Sequence, residues 1–134
     1  MASNADAPAM FRLNVEVGDL KAAAALYQSL FNVQGRLQAG HRVYVPVGPV
    51  MLQVVDVSSQ RSPHPCAKAL YFTVEDLDAA HTRAKALNVL SAEQVHGAPA
   101  GEPIVRPWGE RSFYADDPWG NQFCFVEAGT VYAG

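Results

Sequence analysis

The stretch VGDLKAAAALYQSL, starting at Val17, returns 57 positions later as VEDLDAAHTRAKAL, starting at Val74. Val17/Val74, Asp19/Asp76, Leu20/Leu77, Ala22/Ala79, Ala23/Ala80 and Leu30/Leu87 are identical at that offset. An internal repeat constrains a fold tightly, because one supersecondary unit must then serve twice.

Each copy sits in the same setting. Ahead of the first, Phe11, Leu13, Val15 and Val17 alternate with Arg12, Asn14 and Glu16, the period of a half-buried strand. Ahead of the second, Leu70, Phe72 and Val74 alternate with Ala69, Tyr71 and Thr73. Asp19 and Asp76 are placed to cap helices over 19–31 and 76–88. Leu20, Ala23, Tyr27, Leu30 and Phe31 form the apolar stripe of the first; Leu77, Ala80, Ala84 and Leu87 form that of the second. Strands are expected after the first helix at Gly35–Leu37, His41–Pro46 and Val50–Val57, and after the second at Glu93–His96, Arg111–Ala115 and Gln122–Glu127. The stretch 96–110 reads as a long irregular connection. Between the last two strands, Asp117-Pro118-Trp119-Gly120 is a tight turn: Pro118 presets φ, Asp117 can bond its own backbone two residues on, and Gly120 closes it.

The expected fold is therefore α+β, built from two βαβββ modules in a single domain spanning 10–134. Module one is 10–57, a polar, Pro-containing linker is 58–67, and module two is 68–128. Residues 1–9 read as a disordered lead-in. They lack the basic and apolar regions of a secretory signal. No run approaches the ~20 apolar residues of a membrane span. The formal net charge is −3 and no basic block exists, which argues against nucleic acid as a partner. Two cysteines, Cys66 and Cys124, make no disulfide framework, so a soluble, cytoplasmic protein is expected.

The repeat, together with PWGERSFYADDPWGNQF (Pro107–Phe123), resembles the vicinal oxygen chelate superfamily; there W-G-x-R leads into a D-P-x-G-N turn. That group includes glyoxalase I, extradiol dioxygenases, fosfomycin-resistance enzymes and bleomycin-resistance binding proteins. The resemblance runs from Phe11 to Glu127. It implies that each module curls a mixed β-sheet into a half-barrel, the two forming a pair with helices on the outside. It also implies that metal-dependent members carry His or Glu ligands on the concave side, from the first and last strands of each module. Carried over one at a time, those positions hold Arg12, Gln53 (Leu52 if the register slips by one), Ala69 and Cys124. Arginine has no lone pair to give and alanine has no donor. One soft thiolate beside an arginine does not hold a metal. No metal and no cofactor are expected. His41, His64, His81 and His96 show no ligand spacing; His81 is expected on a solvated helix face.

What the concave side offers instead is a mixed lining suited to a small aromatic or amphipathic molecule. Strand alternation selects Arg12, Asn14 and Glu16, Gln53 with Met51, Tyr71 with Thr73, Ser112 and Tyr114, and Cys124 with Gln122. Trp108 joins at the mouth, and Val43 or Tyr44 on the wall. Arg12 needs a partner, either Glu16 or an anionic ligand. Cys124 is either a small buried filler or, with a cation nearby, a reactive thiol. Trp119 is expected at the surface or in a dimer contact. The resulting expectation is a metal-free binding protein, working as a homodimer, with no assigned catalytic residue. The alternative is a metal-dependent lyase or dioxygenase of the same superfamily with a non-standard site. A third reading is acid–base catalysis by Glu16 with Tyr71 or Tyr114.

Overall fold

Alternation and capping give the elements they call for. The computed structural model describes residues 8–132; residues 1–7 of the expected lead-in lie outside this range. Module one contains β1 (Arg12–Val17), α1 (Leu20–Phe31), β2 (Arg36–Gln38), β3 (Arg42–Val47) and β4 (Val50–Asp56). Module two contains β5 (Leu70–Val74), α2 (Leu77–Ala86), β6 (Gln94–Val95), β7 (Ala98–Pro99), β8 (Ile104–Val105), β9 (Arg111–Asp116) and β10 (Gln122–Glu127). Asp19 and Asp76 cap the helices as expected. Their carboxylates accept from Ala22 N and Ala79 N, each at 3.0 Å.

The strands form two four-stranded sheets, ordered β1-β4-β3-β2 and β5-β10-β9-β8. In each, the first strand runs parallel to the last and the rest are antiparallel. Neither sheet closes into a barrel.

Two details depart from the sequence reading. Glu93–His96 does not join the module-two sheet. His96 (φ 51) and Gly97 (φ 75) make a two-residue turn that reverses the chain at once, so β6 pairs with β7 alone. The fourth strand of that sheet is β8, inside the stretch expected to be irregular. Further, Ala69 does not begin β5; it sits in the left-handed region at φ 55, one residue before the strand.

One core joins the modules. Side chains of the helix-facing rows, Val15, Val17, Val43, Val45, Leu52 and Val54 in module one and Phe113, Phe123 and Phe125 in module two, are all 0–1% exposed. Helix α1 reaches across to the second sheet. Tyr27 meets Phe123 edge-on at 5.6 Å, and Phe31 meets Phe72, Phe123 and Phe125 at 5.0, 5.4 and 5.5 Å.

The D-P-W-G-N turn fastens this core. Asp117 Oδ1 accepts from Trp119 N and Asn121 N, at 2.9 and 2.8 Å. Its Oδ2 accepts from Tyr27 Oη at 2.7 Å and Asn121 Nδ2 at 2.8 Å. Asn121 Nδ2 also donates to the Glu16 carbonyl at 2.9 Å, and its Oδ1 accepts from Cys66 N at 2.8 Å. The turn thus touches α1, β1 and the linker. Trp119 belongs to this joint rather than to the open surface: its ring lies so close over Gly18 that a Cβ there would stand 2.8 Å from Nε1.

Tyr27→Phe keeps the ring and removes one donor from a buried carboxylate. It should lower stability by about 1–3 kcal/mol, read as a reduced urea midpoint with an unchanged slope. An unchanged midpoint would mean that the Tyr27 hydroxyl contributes nothing to the joint.

Candidate functional site

Each sheet has a second face, turned away from the helices, and the strand register decides which side chains share it. In module one Asn14, Gln53, Tyr44 and Arg36 form one cross-strand row; Glu16, Val55, Arg42 and Gln38 form the next. Arg12 lies opposite Met51 and Pro46. In module two the rows are Tyr71, Cys124 and Tyr114, then Thr73, Val126, Ser112 and Ile104. Of the two wall candidates Val43 and Tyr44, Tyr44 lies on this face and Val43 is in the core. The two rows also correspond across the repeat, Asn14-Gln53-Tyr44 with Tyr71-Cys124-Tyr114.

The candidates divide between these two faces, which belong to different sheets. On module one the polar groups are already committed to each other. Gln53 Nε2 donates to Asn14 Oδ1 at 2.8 Å, and its Oε1 accepts from Arg42 Nη1 at 3.1 Å. The exposed Arg12 guanidinium lies over the rings of Phe11 and Tyr44, 5.1 and 5.6 Å from their centroids. Its expected partner Glu16 is taken by the linker. Arg61 grips that carboxylate with both Nη groups, and His64 N donates to Oε1 at 2.8 Å. Those hydrogen bonds hold the Glu16 pKa down at about 2. Glu16 is thus a fastener for residues 61–64, with no free oxygen chemistry to lend to acid–base catalysis.

On module two the face is covered by the chain between α2 and β9. Cys124 is 1% exposed and packs with Ala100, Tyr114 and Val126. Burial pushes its thiol pKa up, against the smaller opposing pull of Ser112 and Tyr114. The filler reading of Cys124 fits this surrounding and the reactive-thiolate reading does not. Tyr114 meets Tyr71 edge-on at 6.5 Å, and burial raises its phenol pKa far above the ordinary value. A phenol so disposed is a poor base.

The organiser of this cover is Arg106, which the sequence reading passed over. It is 3% exposed. Its Nε donates to Ser112 Oγ at 3.1 Å, and Nη2 donates to the carbonyls of Ala100, Glu102 and Ser112 at 3.3, 3.2 and 2.9 Å. Its guanidinium also lies 5.5 Å from the Tyr114 ring centroid. No ion pair among the described residues involves it. Only its position after two β-formers, Ile104 and Val105, hinted at an inward side chain.

Beside the cover an open slot of about 370 Å³ remains, lined by Tyr71, Thr73, Trp108, Glu110, Val126 and Tyr132 among others. Trp108 Nε1 donates to Glu110 Oε1 and Tyr132 N to Oε2, both at 2.8 Å, so the carboxylate is fixed between aromatic residues. The His96 ring stands edge-on to Trp108 at 5.0 Å. His81 is not on a solvated face: it is half-buried, meets Phe113 at 5.2 Å and places Nε2 3.1 Å from the Gly101 carbonyl.

The positions where metal-dependent relatives would carry ligands hold a stacked guanidinium, a hydrogen-bonded amide, a methyl group and a buried thiol. This donor set does not fit a divalent ion. Among the described residues no three His, Cys, Asp or Glu side chains converge on one point. No described helix is long and apolar enough to cross a membrane.

Two βαβββ modules define a scaffold used by lyases, oxygenases and binding proteins alike. Residues 10–125 match the family model "Glyoxalase/Bleomycin resistance protein/Dioxygenase superfamily", and the chain belongs to that superfamily. Solved structures agree on the fold. "Oxidase ChaP-H2" is 23% identical with a TM-score of 0.74, over 96% of this chain and 99% of that one. Lactoylglutathione lyase from Agrobacterium tumefaciens is 26% identical with a TM-score of 0.65, over 91% and 96%. A glyoxalase/bleomycin resistance protein from Albidiferax ferrireducens T118 is 19% identical with a TM-score of 0.70, over 86% and 94%. No match was found among curated proteins.

Two outcomes follow from these geometries. The folded-state pKa of Glu16 is depressed, so its contribution to stability is complete above its ordinary value of 4.5 and is lost as pH falls towards about 2. The melting temperature of Glu16→Gln should therefore trail that of the native chain at pH 6 and converge on it near pH 2; a pH-independent gap would contradict the clamp. Arg106→Lys cannot reproduce the fork, and should cost about 2–4 kcal/mol in urea unfolding. A loss below about 0.5 kcal/mol would mean that the cover does not depend on Arg106.

Proposed function

We propose that this chain is a metal-free binding protein for a small aromatic or amphipathic molecule, held in the slot beside the cover of module two. The observation that carries this reading is the slot itself, where Tyr71, Trp108 and Tyr132 gather around a fixed carboxylate. It sits on the same sheet face as Cys124, a position at which the family's metal-dependent members would carry a ligand. Rings supply stacking area, and Glu110 supplies one polar anchor, the usual division of labour in such pockets. Arg12 and Tyr44 of module one offer a second stacking surface.

The same reading includes a homodimer. Strands β1 and β5 are each the outer strand of a sheet, with one edge unpaired. Phe11 and Tyr71, beside and on those strands, are 67% and 61% exposed. Pairing between copies would cover both, and sedimentation equilibrium reads the mass directly. Cytoplasmic residence is part of the proposal and agrees with two free cysteines.

The test is a panel of planar aromatic molecules titrated against the purified protein, followed by tryptophan fluorescence. Trp108→Leu should weaken the best binder about 10-fold, or about 1.4 kcal/mol. Equal affinity in the variant would remove the slot from consideration. One tightly held metal per chain by elemental analysis, lost in Cys124→Ser, would replace the proposal with the lyase or dioxygenase reading.

A further inference from the structure

A second cavity, of about 800 Å³, lies between the modules and meets the slot at β5, where Tyr71, Phe72 and Thr73 line both. Most of its walls are helix-side residues at the margin of the shared core. Leu13 and Leu52 line it from module one, Leu70, Phe72 and Phe125 from module two, and Phe31 at the end of α1. The β3–β4 hairpin, Pro46 to Val50, and Met10 also line it.

One charged side chain stands in this apolar lining, Arg83 on the last turn of α2. Its Nε is buried with no hydrogen-bond partner. None of the ion pairs among the described residues includes it. A half-buried guanidinium with no counter-charge is costly beside apolar side chains, and a carboxylate arriving there offsets that cost.

We propose that this groove binds an amphipathic carboxylic acid, with its apolar tail along Leu13, Leu52, Phe72 and Phe125 and its carboxylate at Arg83. The volume falls within the roughly 300–1,000 Å³ usual for small-ligand sites. The chemistry is opposite to that of the slot. There the fixed charge is the Glu110 carboxylate; here it is a cation. An alkylammonium of the same length is disfavoured in the groove by like charge, and a neutral amide gains only the apolar contacts. The two sites share the β5 residues Tyr71, Phe72 and Thr73 but not their charged groups, so variants at Arg83 and Val50 on one side and Trp108 on the other tell them apart.

The experiment titrates the native chain with 11-(dansylamino)undecanoate, follows dansyl emission, and displaces the probe with dodecanoate or with dodecanamide. Dodecanoate should displace it at least 10-fold more effectively than the amide. Arg83→Met keeps the apolar stem and should lose that preference, weakening dodecanoate 10-fold or more while leaving the amide unchanged. Val50→Trp, which fills the groove from its hairpin wall, should block both, and its melting curve reports whether it folds. Equal dodecanoate affinity in Arg83→Met overturns the proposal. So does binding that survives Val50→Trp but is lost in Trp108→Leu, which would put the acid in the slot. Failure of the probe to bind at all overturns it as well. If that failure comes with a dimer that Val50→Trp dissociates, the groove belongs to a second copy of the chain.

Discussion

Asp117 accepts four hydrogen bonds within a five-residue turn and from a helix ninety residues earlier in the chain. Two of them shape the turn, one orients Asn121 and one captures the Tyr27 hydroxyl. Asn121 then reaches the backbone of β1 and the linker in the same motion. The carboxylate is buried, and burial is tolerable only because every donor is in place. The angle between the modules, the path of the linker and the placement of α1 against the second sheet all meet at this side chain. It also accounts for Gly18, which must leave room for the Trp119 ring carried on the same turn.

From this joint outward the two modules share a plan and differ in content. Corresponding rows hold Asn14-Gln53-Tyr44 in one and Tyr71-Cys124-Tyr114 in the other. The first is hydrogen-bonded and lies partly open; the second is aromatic and lies under a folded-back segment held by Arg106. The asymmetry begins with insertion of residues between α2 and β9, which gives module two both its cover and its slot. A repeated unit has thus become two surfaces of opposite character, one with an exposed arginine stacked on rings, the other with rings around a carboxylate.

Much of this was legible in the sequence wherever periodicity carried the information. Alternation placed Arg12, Asn14, Glu16, Gln53, Tyr71, Ser112, Tyr114 and Cys124 on the correct side of their strands, because a two-residue period leaves only two choices. Caps at Asp19 and Asp76 and the turn at Asp117 were readable for the same local reason. What failed was long-range pairing. Glu16 is one of two partners the sequence offers Arg12, but it is held by Arg61, forty-five residues away. Ala69 looked like a strand residue and takes a left-handed conformation that no apolar pattern encodes. Arg106 and β8 lie in a segment with too little regular structure to show a period, and an arginine alone says nothing about which carbonyls will surround it. Trp119 looked exposed because turns usually are, and the small residue that receives its ring is a hundred positions away.

The sheets have a further consequence for how the molecule comes apart. Every ladder hydrogen bond of β1-β4-β3-β2 begins and ends in module one, and every one of β5-β10-β9-β8 in module two. Backbone pairing therefore gives neither half a reason to persist because the other does. Cooperativity must pass through side chains: the ring contacts of Tyr27 and Phe31 with Phe72, Phe123 and Phe125, and the polar joint beside them. Whether the chain melts as one body or as two therefore rests on side-chain contacts, with α1 and the turn at Asp117 at their centre. Amide exchange in the inner strands β4 and β10 would record it: one common opening energy if those contacts hold, two if they yield first.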